Sequence, residues 1–251
     1  VVESAPRRPG LRYSALVPNL RGLQGALQAG LDEIAIFMSA TESHSKKNIN
    51  KGIDDALRVL GEVTKEAKRN RMFVRGYLST VFGCPYEGKV DPAKAHELTV
   101  RLFEELGVDE VSLGDTIGAG NPMQVRELLG RLDGEVDFGR LALHMHDTRG
   151  TALANVLAGL DLGVRTFDAA FGGLGGCPYA PGASGNLATE DLVYMLEGMG
   201  FDTGIDLDRL FIASERAADL LDKALPSKVF QSELGRRRKE AERRARASRA
   251  G

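Results

Sequence analysis

The stretch L-A-L-H-M-H-D-T-R-G, residues 141–150, contains a strand pattern and two histidines in ten residues. Side chains alternate between the two faces of a strand, so every second residue shares a face. One face is apolar and carries Leu141, Leu143 and Met145, while the other carries Ala142, His144 and His146. The apolar face suits packing against outer helices, and the histidine face then points inward. The pattern predicts a strand of a parallel β/α sheet with its chemistry at the C-terminal end.

The rest of the chain alternates short β-rich runs with amphipathic helical runs, which is typical of βα units around a parallel sheet. The predicted strands cover residues 13–17, 33–38, 72–79, 110–114, 141–146 and 165–171. The predicted helices cover residues 20–29, 52–70, 92–106, 121–132, 150–162, 189–198 and 207–225, and the polar stretch 39–50 is interpreted as a loop. Six units fit either an open doubly wound sheet or an incomplete eight-unit barrel, and periodicity does not separate these folds.

The composition of the chain disfavours several classes of protein. The chain has 251 residues, 43% of them hydrophobic, and a formal net charge of −2, which disfavours a nucleic-acid binder. No apolar run reaches the ~18 residues of a membrane span, and the first residues lack the apolar core of a secretion signal. Only Cys84 and Cys177 are available for disulfides, which favours a reducing compartment. We therefore expect a cytoplasmic protein that binds neither nucleic acid nor membrane.

His144 and His146 are the first candidate site residues. Two imidazoles two residues apart on one strand face can reach the same ion, and Asp147 could hold one of their N–H groups. The alternative is two unrelated polar residues near a strand end. A single histidine is more often structural, but a pair at the functional edge favours a metal site.

The glycine-rich stretch 171–186, F-G-G-L-G-G-C-P-Y-A-P-G-A-S-G-N, is the second candidate. It is either a flexible linker or a mobile active-site loop, and Cys177 within it favours the loop. Asn186 at its end offers an oxygen ligand. Glu190 suits a helix-capping or a catalytic role equally. Asp115, just after a predicted strand, suits a turn or an active site equally.

Several segments together resemble hydroxymethylglutaryl-CoA lyases. The segments that carry the resemblance are residues 45–50, 74–90, 112–120, 143–155 and 172–200, and the resemblance spans roughly residues 13–230. Isopropylmalate and homocitrate synthases share the two-histidine strand but lack the cysteine loop. The resemblance implies an α/β fold, the (β/α)8 TIM barrel, with a Mg²⁺ or Mn²⁺ ion.

The resemblance also assigns roles to residues. His144, His146 and Asn186 would bind the metal, and Cys177 would be the catalytic thiol. The remaining assignments are active-site carboxylates at Asp115 and Glu190 and acyl-pocket residues at Asn48, Tyr77 and Ser112. The implied reaction cleaves 3-hydroxy-3-methylglutaryl-CoA into acetyl-CoA and acetoacetate, with Cys177 or His144 as the acid. This is a step of leucine degradation, and the enzyme could form a homodimer.

One departure from the family pattern concerns the N-terminus. Family members begin with a strand that bears an R-D-G-L-Q motif, which supplies an Asp ligand and an Arg, and the R-G-L-Q at Arg21 lacks the Asp. We therefore expect an N-terminally incomplete barrel, family strands 3 to 8 plus C-terminal helices, with weak metal binding and impaired activity. The expected domains are a partial barrel over residues 1–234 and a basic tail, helical or disordered, over residues 235–251. The alternatives are a related hydroxyacyl-CoA lyase, an aldol-type synthase, or a non-catalytic scaffold whose tail binds an acidic partner.

Overall fold

Parallel strands dominate the first part of the molecule. A computed structural model describes residues 4–175 and 185–250. Within these residues the strands are, in chain order, β1 (Ser14–Leu16), β2 (Glu33–Ser39), β3 (Phe73–Ser79), β4 (Gly83–Cys84), β5 (Gly88–Lys89), β6 (Glu110–Gly114), β7 (Leu141–His144) and β8 (Thr166–Asp168). The short strands β4 and β5 pair antiparallel with each other. The other six form one parallel sheet in the order β1-β2-β3-β6-β7-β8.

The strand order separates the two folds that the sequence left open. Each strand of the six-stranded sheet pairs with the next one along the chain, and the order never reverses. A doubly wound sheet has a switch point where the order reverses, whereas a β/α barrel winds in one direction. The sheet therefore follows barrel winding.

Helices connect and follow the strands. They are α1 (Leu20–Gln28), α2 (Glu42–Ile49), α3 (Ile53–Arg69), α4 (Pro92–Glu104), α5 (Pro122–Leu132), α6 (Ala152–Asp161), α7 (Thr189–Gly198), α8 (Leu207–Leu221) and α9 (Lys228–Ala250). None of the described helices is long and apolar enough to cross a membrane. The chain divides into two compact units. The first contains the residues up to Met145 and Ala154–Asp168, and the second contains His146–Leu153 and the residues from Ala169 onward.

The interpretation of residues 39–50 as a loop was wrong, because α2 lies there. The segment is polar, so it shows no apolar periodicity, yet His44 and Ser45 are buried. His44 Nδ1 lies 2.6 Å from the hydroxyl of Ser39 at the end of β2, which gives this polar face a buried partner. Asn50 ends the helix in the left-handed conformation that asparagine tolerates.

Two strand ends also differ from the prediction. Strand β7 ends at His144 rather than at residue 146, and β8 covers only Thr166–Asp168. His146 instead forms an isolated antiparallel bridge with Asn186. The alternation of apolar and polar residues continues to residue 146, but the pairing with β8 ends at His144. The sequence pattern alone therefore predicts a strand that is two residues too long.

Strand β7 is packed closely by the helix that follows it. Leu141 and Leu143 are fully buried on its apolar side. A Cβ atom at Gly159 of α6 would lie only 2.3 Å from Cδ1 of Leu143, so the Leu143 side chain occupies the space beside the helix that the glycine leaves open. The apolar face thus fixes β7 from the helix side.

In the second unit, α9 is anchored at its start. The carboxylate of Asp191 accepts hydrogen bonds from the Ser227 hydroxyl (2.7 Å) and the Val229 N–H (2.9 Å). Phe230 is buried against Phe211 and Leu225. The helix continues as one element to Ala250, so it includes residues 235–250 of the expected basic tail.

Candidate functional site

A cluster of polar side chains lies on one face of the parallel sheet in the first unit. We call it the sheet-face cluster, and it consists of Arg75, Tyr77, Glu110, Ser112, His144 and Asp168. Strand register brings these residues together, because Arg75 pairs with Glu110, Tyr77 with Ser112, and His144 with Asp168. Paired residues of neighbouring strands share a face, and so do residues two apart on one strand. Three of the predicted site residues, Tyr77, Ser112 and His144, therefore belong to one cluster.

Asp168 is the centre of this cluster. Its Oδ2 lies 3.1 Å from His144 Nδ1 and accepts a hydrogen bond from Ser112 Oγ at 2.9 Å. Its Oδ1 lies 2.7 Å from Arg75 Nη2. The carboxylate thus connects β3, β6 and β7 to β8.

Arg75 supplies the positive charge of the cluster. Its Nε lies 2.8 Å from Glu110 Oε1, and its Nη1 donates to the Tyr77 hydroxyl at 3.1 Å. The side chains of Arg75, Glu110 and Asp168 are only 13–15% exposed. Charges that are this well buried need partners, and each carboxylate here has the same guanidinium.

The surroundings shift the pKa values of these groups. Burial by itself raises the pKa of Asp168, but the hydrogen bond from His144 and the charge of Arg75 outweigh it and lower that pKa. Burial raises the pKa of Glu110, and Arg75 offsets only part of the rise. Burial and the nearby charge of Asp168 raise the pKa of Tyr77 to about 12. Asp168 therefore stays ionised and Tyr77 stays a neutral phenol at physiological pH.

Asp115 is buried directly after β6, where it organises the following loop. Its two carboxylate oxygens accept hydrogen bonds from the N–H groups of Ala119 and Gly120, each at 2.9 Å. Its own N–H donates to the carbonyl of His144 (3.0 Å). The turn-forming role that the sequence offered for Asp115 is thus present, and its backbone adjoins the end of β7.

Asn48 is the third residue that the resemblance placed in the acyl pocket. It is exposed near the end of α2 and lines a cavity of about 420 Å³. The other lining residues include Phe37 of β2, Leu60 of α3, and Lys51, which lies between α2 and α3. Phe37 pairs with Tyr77 across β2 and β3, so one lining residue of this cavity is the direct neighbour of Tyr77 in the sheet.

Two predicted metal ligands belong to the second unit. His146 and Asn186 face each other across the antiparallel bridge, and the Asn186 side chain donates to the Leu174 carbonyl at 2.9 Å. Asp147 was considered as a partner for an imidazole. Its carboxylate instead accepts from the Ala152 N–H (3.0 Å) and caps the start of α6.

Glu190 is fully buried at the start of α7. Both of its carboxylate oxygens lie 3.0 Å from the Gly172 N–H, and it also accepts a hydrogen bond from the Ser214 hydroxyl. It therefore fixes the turn Phe171–Gly173, with which the glycine-rich stretch begins. Cys177, the predicted catalytic thiol, lies outside the described residues.

Arg75, Glu110 and Asp168 are the cluster members that the sequence reasoning missed. A signal for Arg75 existed, because a charged residue inside a buried strand requires a partner. Among the described residues, no three His, Cys, Asp or Glu side chains form a metal-binding group. The predicted ligand set contains only two side chains of these types, His144 and His146, because its third member is Asn186.

Comparisons with known proteins agree with the resemblance. A family model described as HMGL-like matches residues 9–216. Hydroxymethylglutaryl-CoA lyase of Bacillus subtilis is 49% identical over 231 residues, which cover 92% of this chain and 77% of that protein. The mitochondrial lyase of Bos taurus is 49% identical over 232 residues, which cover 92% of this chain and 71% of the bovine protein.

Solved structures lead to the same family. The crystal structure of the Bacillus subtilis HMG-CoA lyase superimposes with a TM-score of 0.90 at 48% identity, covering 93% of this chain and 78% of that one. The structure of an HMG-CoA lyase from Acinetobacter baumannii in complex with coenzyme A and 3-methylmalate superimposes with a TM-score of 0.86 at 38% identity. The match covers 92% of this chain and 75% of that one. The resemblance read from the sequence is confirmed.

Proposed function

Because the chain belongs to the family of hydroxymethylglutaryl-CoA lyases, we propose that it cleaves 3-hydroxy-3-methylglutaryl-CoA into acetyl-CoA and acetoacetate. The observation that carries this proposal is the 49% identity to lyases of that name over 92% of the chain. The expected impairment of activity has no support from these relatives. A Claisen-type cleavage needs a base for the tertiary hydroxyl, stabilisation of the thioester enolate, and an acid for its carbon.

We further propose that His144, His146 and Asn186 hold a divalent cation. Two observations support the fit of these donors. The Nδ1 of His144 contacts a carboxylate, as the second ring nitrogen of metal-binding histidines usually does. His146 and Asn186 form a bridge pair, and side chains of directly paired residues have Cβ atoms about 5 Å apart. Imidazole and amide-oxygen donors suit Mn²⁺ well and Mg²⁺ acceptably.

When bound, the cation would lower the pKa of the substrate hydroxyl and orient it. The remaining roles fall to the protein. Tyr77 and Ser112 would contact the acyl group, and Cys177 would protonate the enolate carbon while its loop excludes water. Asp115 and Glu190 would act by holding the loops that carry the reacting groups, since their carboxylates bind backbone N–H groups. Asn48, which lines a cavity with Phe37 of β2, would also contact the acyl group.

The test is a substrate panel assayed with Mn²⁺ and with Mg²⁺. We expect the wild-type protein to release acetyl-CoA and acetoacetate from 3-hydroxy-3-methylglutaryl-CoA in preference to other hydroxyacyl-CoA thioesters. His146→Ala should lower kcat/KM by about 100-fold or more, because a ligand lost from a catalytic metal removes several kcal/mol of stabilisation. Cleavage of another thioester in preference would assign a related lyase. No cleavage by a folded wild-type protein would refute the proposal.

A cytoplasmic location and a homodimer remain predictions. The relatives include enzymes named mitochondrial and enzymes named cytoplasmic, so the family alone does not give the compartment. Sedimentation velocity at several protein concentrations would measure the oligomeric state directly.

A further inference from the structure

We propose that Asp168 is a positioning residue, which fixes the imidazole of His144 with its proton on Nδ1. The inference rests on the proposed function, in which His144 is a metal ligand. It concerns a residue that neither the sequence pattern nor the family resemblance marked. Three observations support it. Asp168 contacts His144, the two residues pair across β7 and β8, and Ser112 and Arg75 hold the Asp168 carboxylate.

The contact follows from strand pairing. His144 is the last residue of β7 and pairs with Asp168, the last residue of β8. Asp168 Oδ2 lies 3.1 Å from His144 Nδ1. Since a carboxylate that is held by a guanidinium accepts hydrogen bonds, we infer that the ring nitrogen that faces it carries the proton.

The carboxylate cannot turn away from the ring, because its other contacts fix it. Ser112 Oγ donates to the same Oδ2 at 2.9 Å, and Arg75 Nη2 holds Oδ1 at 2.7 Å. These partners come from β6 and β3, so two other strands of the sheet orient the group. The neighbouring positive charge of Arg75 also compensates the burial of the anion.

The imidazole is restrained from a second side. The Tyr77 ring meets it edge to face, with the ring centroids 5.9 Å apart and an interplanar angle of 87°. With the proton on Nδ1, the lone pair of the neutral ring lies on Nε2, which is the nitrogen that would bind a cation. Second-shell carboxylates of this kind typically contribute a factor of 10–100 to metal affinity.

The first experiment needs no metal and no activity. Side-chain ¹⁵N spectra of metal-free protein labelled at histidine, recorded at pH 8, report which ring nitrogen carries the proton. The His144 signals are assigned by their loss in His144→Gln. We expect a protonated Nδ1 in the wild-type protein and a mixture of tautomers in Asp168→Asn. Protonation of Nε2 alone in the wild-type protein would overturn the proposal, and this measurement does not depend on any variant of Asp168 folding.

The second experiment measures Mn²⁺ affinity by electron paramagnetic resonance titration. We expect Asp168→Asn to weaken binding about 10–100-fold. Asp109→Asn is the matched control, because Asp109 also pairs with a cation, Lys68, and accepts from the Val74 N–H, away from His144. The control should retain affinity within about twofold.

The outcomes separate the two proposals. Equal Mn²⁺ affinity of Asp168→Asn and the wild-type protein, or equal losses in both variants, would overturn the positioning role. A wild-type protein that binds no Mn²⁺ would refute the proposed metal ligands instead. The tautomer measurement would then still decide whether Asp168 fixes His144.

Discussion

Two regions of the molecule bury carboxylates in different ways. In the sheet-face cluster, Asp168 and Glu110 are held by side chains, chiefly the guanidinium of Arg75. At the start of α7, Glu190 and Asp191 are held by backbone N–H groups and serine hydroxyls. The first arrangement connects side chains from separate strands, whereas the second fixes the backbone conformation of neighbouring segments.

We expect this difference to separate carboxylates that act through their charge from carboxylates that act as hydrogen-bond acceptors. A carboxylate that satisfies backbone N–H groups could be replaced by a neutral acceptor, since its task is a hydrogen bond. A carboxylate that faces a guanidinium and an imidazole acts through its charge and controls a proton. Substitutions at Arg75, Glu190 and Glu233 test this division.

The largest effect should follow from removing the shared cation. Arg75→Met leaves Asp168 and Glu110 as buried charges without their common partner, and we expect a loss of about 3 kcal/mol in the free energy of unfolding. Urea unfolding at pH 7 measures it. Arg101→Met is the control, because its ion pairs with Glu105 and Asp54 lie on the surface and should contribute under about 1 kcal/mol. If Arg75→Met and Arg101→Met lower the free energy of unfolding equally, the buried ion pairs of the cluster contribute no more than ion pairs on the surface.

A somewhat smaller effect should follow at the start of α7. Glu190→Ala removes the acceptor of the buried Gly172 N–H, and we expect a loss of about 2 kcal/mol in the free energy of unfolding. Glu190→Gln keeps an acceptor oxygen and should lose less than half as much. If the glutamine variant is as unstable as the alanine variant, the charge matters there too, and the two regions are not different in kind.

The smallest effect concerns Glu233 on α9, a carboxylate held by side chains near the surface. The hydrogen bond from Arg236 lowers the pKa of Glu233 to about 2. Its contribution to stability is therefore present above the unfolded value near 4.3 and is lost as the pH falls toward 2. Glu233→Gln should destabilise the protein by less than about 1 kcal/mol at pH 7 and by less still at pH 3, as measured by urea unfolding. A difference that grows at pH 3 would contradict this sign.

The sequence predicted the strands and most helices because apolar periodicity reports burial directly. It failed at α2, where a buried histidine and serine stand in a polar segment. The family resemblance named Tyr77, Ser112 and His144, and the structure places them on one face. Asp168 escaped notice because its contacts reach 24 and 56 residues back along the chain. Such contacts depend on register between strands, which a single sequence does not encode in any local pattern.

The close approach of α6 to β7 has a consequence for reading natural and laboratory variants. A methyl group at residue 159 would overlap Leu143, the immediate neighbour of His144. The overlap occurs on the side of the strand that faces away from the polar cluster. We therefore expect a Gly159→Ala variant to force the buried Leu143 side chain into another rotamer and to lower the free energy of unfolding. A survey that ranks variants by their distance from the reacting groups would classify that change as harmless.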